Sequence, residues 1–127
     1  MAANIDGRLI NYIRNDTSMT YSNAVSWCNS LNGSLPIPSS PAENQILTSL
    51  GNTWLGFTTS NMTGVLWFNW GHGKPSGNGQ TVQLLDRAPW DNQHWYGQWN
   101  DGNDRKYPAT CYLSGKIVFE KKIYYTV

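Results

Sequence analysis

Residues 86–98 hold the densest group of side chains suited to ligand chemistry. The segment combines rings with amide and carboxylate groups: Trp90, Asp91, Asn92, Gln93, His94, Trp95 and Tyr96. Flat apolar rings next to such polar groups can stack on a ligand and hydrogen bond to it in pairs. The mixture suits sugar rings, and it is equally typical of protein-binding surfaces. It predicts a binding site with Trp90 or Trp95 at the surface. The alternative is that one or two of these rings cover the hydrophobic core under the loop.

Catalysis is not indicated. The chain has two histidines, His72 and His94, and neither lies in a nucleophile motif such as Gly-x-Ser-x-Gly. The sequence contains no His-Glu-x-x-His, Cys-x-x-Cys or P-loop motif. We therefore expect a binding module and not an enzyme.

Composition restricts the class further. The 127 residues fit one domain, and nine Lys and Arg balance eight Asp and Glu, which argues against nucleic acid or an anionic membrane as partner. No apolar stretch reaches the roughly 18–20 residues of a membrane span. The amino terminus lacks the features of a signal peptide. Either the protein is not exported by that route, or this is a mature secreted domain with an added start Met, which we favour.

The first predicted helix begins at Thr20, whose hydroxyl is placed to cap it. Apolar residues then recur at helical spacing: Ala24, Trp27, Cys28 and Leu31. We expect Gly33 to end this helix as its C-terminal cap.

The second predicted helix begins with Ser40-Pro41-Ala42-Glu43, a capping box with proline in the first helical position. Its buried face is Ile46, Leu47 and Leu50, and Gly51 ends it.

Strands are predicted on both sides of these helices. A first strand covers residues 8–14 and is followed by a turn at 15–18. Later strands fall at 53–57, at 82–85, around Trp99 and within 109–125. Between Thr58 and Gly79 the chain is rich in glycine and predicts a long irregular loop, which is usually functional. The pattern is that of an α+β domain.

Two sequence features bear on the cellular compartment. Cys28 and Cys111 permit one disulfide bridge without requiring it. Three Asn-x-Ser/Thr sequons, at Asn15, Asn32 and Asn61, give weak support for a secreted glycoprotein.

Taken in order, these motifs resemble the C-type lectin-like domain family. The matching segments are Ala24-Val25-Ser26-Trp27-Cys28, Gly33-Ser34-Leu35-Pro36-Ile37-Pro38-Ser39, Trp54-Leu55-Gly56, Asn69-Trp70 with Lys74-Pro75-Ser76, Gly97-Gln98-Trp99-Asn100-Asp101 and Lys106 to Cys111. The resemblance implies one domain over residues 1–127, with a core at about 8–114 and a β-rich carboxy-terminal extension at 115–127. It also implies two helices packed on small antiparallel sheets, with a long irregular loop region. Trp67, Trp70 and Trp99 are expected in the core.

The family normally has four cysteines, paired first with fourth and second with third. The resemblance makes Cys28 the first and Cys111 the fourth, with Thr81 and Asp104 in place of the other two. It therefore implies a Cys28–Cys111 bridge. In an alternative register Cys111 is the third cysteine, Phe119 stands at the fourth position, and both thiols are free.

Sugar-binding members of the family hold calcium through a Glu-Pro-Asn motif, a further Glu, and the Asn and Asp of Trp-Asn-Asp. Here Asn100, Asp101 and Pro75 match, but Lys74 and Ser76 replace the Glu and Asn, and the further Glu falls near Gly79 or Gln80. Because an ammonium group repels a divalent cation, we expect neither calcium at this site nor another cofactor. Lys74 either takes the place of the ion and pairs with Asp101, or is a solvated loop residue.

The resemblance implies a module that binds carbohydrate through the face carrying the long loop, without the usual calcium site. The predicted ligand-binding residues are Lys74, Ser76, Trp90, Asp91, Asn92, His94, Trp95, Asn100 and Asp101, with no metal ligand among them. The alternative is a protein-binding domain, for a receptor, a ligand or self-association, that binds no sugar. The extension either lengthens the last strand or presents an edge to another subunit of a homo-oligomer.

Overall fold

The computed structural model describes residues 2–5, 7–77, 79–86, 96–102 and 105–113, together with the backbone of 116–119 and 122–125. The elements follow one another as β1 Ala2–Ile5, β2 Arg8–Met19, α1 Tyr21–Ser30, β3 Gly33–Ser34, α2 Pro41–Leu50, β4 Thr53–Thr58, β5 Thr81–Leu85, β6 Gln98–Asp101, β7 Tyr107–Leu113, β8 Lys116–Phe119 and β9 Lys122–Tyr125. Among these elements, neither helix is long and apolar enough to cross a membrane.

The strands form small antiparallel sheets. One sheet has the order β1-β2-β7-β3, a second has β4-β5-β6, and β8 pairs with β9 in a third. The predicted α+β class with two helices is therefore confirmed. The carboxy-terminal extension is β-rich as predicted, but β8 and β9 form a separate hairpin and do not lengthen β7.

Helix α1 begins where predicted and ends earlier. The Thr20 hydroxyl accepts a hydrogen bond from Asn23 N–H (3.2 Å). The prediction that Gly33 ends the helix is wrong, because Leu31 is the C-cap and Asn32 takes the left-handed conformation (φ 57°). Gly33 instead begins β3, where a Cβ atom would lie 2.6 Å from the Tyr112 carbonyl oxygen. A glycine is needed there for β3 to approach β7.

Helix α2 follows the sequence signals closely. The Ser40 hydroxyl accepts from Glu43 N–H (3.3 Å), Pro41 opens the helix, and Gly51 caps it with a φ of 112°. The Glu43 carboxylate does not close the capping box on Ser40 but accepts from the Ser39 hydroxyl (3.0 Å). Of the predicted buried face, Leu47 is fully buried, while the two flanking positions are partly buried.

The amino-terminal strands differ from the prediction in two ways. The segment at residues 15–18 is not a turn, because β2 continues through it to Met19. The pairing of β2 with β7 shifts register between Asn15 and Met19, which accommodates this polar run within the sheet. In addition, β1 was not predicted, although it pairs with β2 and buries Ile5.

Among the described residues, most buried apolar side chains fall in two clusters, and Leu85 packs separately against Tyr107. The Trp54 cluster consists of Ala24, Cys28, Leu35, Trp54, Ala109 and Cys111. The Trp99 cluster consists of Ile5, Ile10, Tyr12, Leu47, Leu55, Phe57, Val82, Leu84 and Trp99. Cys28 and Cys111 are bonded as a disulfide with a Cα–Cα distance of 5.4 Å. The bridge is therefore confirmed, and the alternative register with two free thiols is wrong.

Candidate functional site

The site is built where the long loop, residues 59–80, meets strand β6. The loop lies along β6 through backbone hydrogen bonds: Trp99 N–H donates to the Asn69 carbonyl (2.9 Å), and Gly71 N–H donates to the Trp99 carbonyl (3.0 Å). Strand β6 is the outer strand of its sheet and ends with Asn100 and Asp101. The contact therefore brings residues 74–77 beside Asp101. We call the surface formed by residues 71–77, Asn100 and Asp101 the long-loop face.

Asp101 is the centre of this arrangement. Its side chain is fully buried, and Oδ1 accepts from the Ser76 N–H (2.8 Å) and the Ser76 hydroxyl (3.1 Å). Oδ2 accepts from Gly77 N–H (2.8 Å). The carboxylate is thus compensated by donors of the loop that faces it.

The Asp101 pKa reflects these contacts. Burial acts to raise the pKa, but the hydrogen bonds from the Ser76 and Gly77 amides and from the Ser76 hydroxyl outweigh it. The pKa consequently lies below its ordinary value. Asp101 is therefore ionised at neutral pH although it is buried.

Lys74 lies beside the carboxylate, as the pairing hypothesis predicts. Its Nζ atom is 3.9 Å from Asp101 Oδ1 and donates a hydrogen bond to the Ser76 hydroxyl (3.1 Å). The Lys74–Pro75 peptide bond is cis. Because the Lys74 side chain is only 16% exposed, the alternative of a freely solvated loop residue does not describe it.

Asn100 is held from the interior. Its Nδ2 atom donates to Gln83 Oε1 (3.1 Å), and the Gln83 amide in turn donates to the Gly102 carbonyl (2.8 Å). The Thr81 hydroxyl also donates to Gly102. Sequence reasoning missed Gln83, which is fully buried in β5 directly opposite Asn100. A glutamine between the apolar residues Val82 and Leu84 was the signal that could have identified it.

An aromatic base supports the site. Trp99 is fully buried, while Trp67 and Trp70 are partly buried and pack against it edge-on, each with a ring separation of 5.8 Å. These positions agree with the predicted core role of the three tryptophans. Phe68 stacks on Trp70 and remains 44% exposed.

The sequence profile described as Lectin C-type domain matches residues 17–114. The chain belongs to the C-type lectin domain family. A comparison with curated proteins gave no match. C-type lectin domains are recognition modules without catalytic activity, so the prediction of a binding domain is confirmed.

Solved structures share the fold. Human lithostathine is 20% identical with a TM-score of 0.68, covering 88% of this chain and 95% of its own. The carbohydrate-recognition domain of the mouse scavenger receptor C-type lectin is 20% identical with a TM-score of 0.69, covering 93% and 97%. The Ca²⁺-independent C-type lectin SPL-2 from Saxidomus purpuratus is 19% identical with a TM-score of 0.63, covering 80% and 84%. At these identities the likeness concerns the fold.

The residues at the long-loop face do not fit a calcium ion. Calcium takes six to eight oxygen ligands, several of them anionic. Here one buried carboxylate is already bonded to Ser76 and Gly77, and a lysine ammonium lies 3.9 Å away. Across the described residues, moreover, no group of three or more His, Cys, Asp and Glu side chains is arranged to hold a metal.

The remaining predicted ligand residues, Trp90, Asp91, Asn92, His94 and Trp95, lie outside the described residues. The backbone on either side of them is well anchored. Asp86 N–H donates to Asn52 Oδ1 (2.6 Å), and Gly97 N–H donates to the Leu85 carbonyl (2.7 Å). The Gly97 carbonyl accepts from the amides of Asn44 (2.8 Å) and Asn69 (2.7 Å). The anchoring roles of Asn44 and Asn52 were missed, because they depend on contacts between residues far apart in the sequence.

Proposed function

We propose that this C-type lectin domain binds carbohydrate through its long-loop face without calcium at the usual position. One observation carries the proposal: the ammonium group of Lys74 and the amides of Ser76 and Gly77 neutralise Asp101. A domain with this arrangement presents a preformed polar surface with no need of a divalent ion.

The composition of that surface supports a polar ligand. Residues 75–77 are exposed, and Lys74 Nζ makes its hydrogen bond to Ser76 at the surface. The proposed contacts of Trp90, Asp91, Asn92, His94 and Trp95 add rings and polar groups from the neighbouring segment. The fold also occurs in SPL-2, which is described as a Ca²⁺-independent C-type lectin, so loss of calcium is compatible with the scaffold.

Protein recognition is the second candidate, and exposed apolar side chains favour it. Leu66 is 84% exposed, and Phe68 and Met62 on the same long loop are also exposed. Aromatic residues and methionine, here Phe68 and Met62, are enriched at protein interfaces. A partner protein would therefore engage the loop a few residues before the polar surface.

The proposal includes an extracellular location. A disulfide bridge persists in oxidising compartments, and Cys28–Cys111 is such a bridge. In two of the three sequons the asparagine, Asn32 or Asn61, has an exposed side chain that is accessible for glycosylation. In the third, Asn15 is partly buried within β2.

A glycan array read once with calcium and once with EDTA tests the function. We expect the same glycans to be bound in both conditions. Binding lost in EDTA would contradict the site described above, and absence of any glycan binding would favour protein recognition. The Met62→Ser/Leu66→Ser variant is the matched control, because it removes exposed apolar side chains of the loop and leaves Lys74, Ser76, Asp101 and the aromatic base in place.

A further inference from the structure

We propose that the ligand of the long-loop face is an acidic carbohydrate, whose carboxylate or sulfate group is bound by Lys74. This inference rests on the proposed function and specifies the class of sugar. It follows from how the charges of Lys74 and Asp101 are satisfied.

The hydrogen bonds to Asp101 come from the loop backbone and Ser76 and not from Lys74, which contributes its charge alone. The carboxylate accepts two backbone hydrogen bonds, from Ser76 and Gly77, each at 2.8 Å, and a third from the Ser76 hydroxyl. The distance of 3.9 Å from Lys74 Nζ to Asp101 is longer than a hydrogen bond. Lys74 is therefore paired with Asp101 by charge but does not use one of its N–H donors on the carboxylate.

Lys74 retains donors for a ligand. An ammonium group has three N–H donors. One is directed to the Ser76 hydroxyl at 3.1 Å, in a hydrogen bond at the surface. Within the part of the chain that the structure describes, the Lys74 side chain makes this one hydrogen bond, so its other N–H groups are left for a ligand. The flanking Gly73 and Pro75 are exposed and have little or no side chain to block an approaching group.

Ser76 fixes the direction of these donors. Its hydroxyl donates to Asp101 Oδ1 and accepts from Lys74 Nζ, so its single proton is already used. The serine therefore orients Lys74 and is not itself a donor to the ligand. A cation held in place by a short hydrogen-bonded chain loses less side-chain freedom when it binds an anion.

The donor and acceptor character of the surface selects the ligand class. Lys74 offers donors, whereas the oxygens of Asp101 are occupied by the loop. A neutral hydroxyl can accept from Lys74, but an anionic oxygen adds the Coulomb attraction between two opposite full charges to the hydrogen bond. We therefore expect acidic glycans to bind about tenfold more tightly than the same glycans without the acidic group.

The experiment compares matched glycans in EDTA. Each neutral core is presented alone, with sialic acid or uronic acid, and with a sulfate ester, which distinguishes the two anionic groups. Preference for either acidic form supports the proposal. Equal binding to the neutral cores overturns it and leaves the proposed function intact. Absence of any binding overturns both.

Variants at Lys74 distinguish a specific contact of Lys74 with the acidic group from a general attraction of acidic glycans to positive charge on the protein. Lys74→Gln is expected to lose about tenfold in affinity for acidic glycans and clearly less for the neutral cores, so that the acidic preference disappears. Lys74→Arg should retain the acidic preference, because it keeps the charge. Lys106→Gln is the charge-matched control at an exposed position. Equal losses in Lys74→Gln and Lys106→Gln, with unchanged melting temperatures, would overturn the proposal.

Discussion

The Trp54 cluster and the Trp99 cluster each contain a buried tryptophan with a hydrogen-bonded ring N–H, but the acceptors and the surroundings of the two rings differ. In each, a fully buried tryptophan donates a hydrogen bond from its ring: Trp54 Nε1 to the Met19 carbonyl (2.9 Å), and Trp99 Nε1 to Asn44 Oδ1 (2.8 Å). Trp54 lies beside the disulfide and contacts the backbone. Trp99 depends on a polar side chain from α2 and lies beneath the long loop.

The difference separates stability from recognition. The Trp54 cluster joins α1 to β7 through a covalent bond, and its buried residues include none of the long-loop face. The Trp99 cluster connects directly to the long-loop face. Asn100 follows Trp99 in the chain, and the long loop forms hydrogen bonds with the Trp99 backbone. Changes at the face can therefore alter the binding site without disturbing the bridged half.

The largest expected effect tests the bridged half. Cys28→Ala/Cys111→Ala opens a link between residues 83 positions apart. The chain-entropy model gives a loss of about 4–5 kcal/mol in the free energy of unfolding. Urea denaturation measures it, and the wild type under reducing conditions is the control. A loss below about 1 kcal/mol in the free energy of unfolding would contradict the prediction, because the bridge would then contribute little to stability.

The second prediction compares the two tryptophans directly. Trp99→Phe leaves buried Asn44 Oδ1 without its donor and removes part of a ring that contacts Phe57, Trp67 and Trp70. We expect a loss of about 3 kcal/mol in the free energy of unfolding. Trp54→Phe should cost about 1 kcal/mol less, because its hydrogen bond is only partly buried. Equal losses in urea denaturation would contradict this distinction.

The third prediction concerns metal binding at the face. Lys74→Glu/Ser76→Asn replaces the ammonium with a carboxylate and the hydroxyl with an amide beside Asp101. We expect calcium at millimolar concentration to stabilise this variant by about 1–3 kcal/mol and to leave the wild type unchanged. Thermal unfolding with calcium or EDTA measures the difference. Stabilisation of the wild type by calcium would contradict the role assigned to Lys74.

The smallest expected effect is a pH dependence from Asp101. Its folded-state pKa is lowered, so it contributes stability that is fully present above the ordinary carboxyl pKa of about 3.9. That contribution is lost as the pH falls through the folded-state value. The slope of unfolding free energy against pH in acid should therefore be shallower in Asp101→Asn than in the wild type. Parallel slopes would show that the Asp101 pKa is not lowered.

The fold was predictable where signals are local or carried by the family motifs. The Thr20 and Ser40 caps, the Cys28–Cys111 bridge and the core positions of the tryptophans are found as predicted. The errors fall where pairing with a distant strand decides the conformation. Gly33 looks like a helix end in sequence, yet its role comes from the approach of Tyr112. The run at residues 15–18 looks like a turn, yet the strand continues through it, because Asn15 and Met19 at its two ends both pair with β7.

The candidate site was predictable in part for the same reason. The resemblance placed Lys74 near Asp101, and the structure shows the ion pair. The sequence did not indicate that backbone N–H groups of Ser76 and Gly77 satisfy the carboxylate, because such donors are present in every residue. Nor did it indicate the contact between Asn100 and Gln83, which depends on the register of β5 and β6. The roles of Trp90, Asp91, Asn92, His94 and Trp95 stay predictions.

The anchoring of Gly97 has a consequence for engineering. The Leu85 carbonyl fixes the Gly97 amide, and two asparagines fix its carbonyl, so both ends of the intervening connection are set by the framework. Connections of other lengths and sequences can be inserted between these ends while β5 and β6 keep their register. The domain is therefore suited as a display scaffold, in which randomised peptides between Leu85 and Gly97 are selected for new targets on a disulfide-stabilised frame.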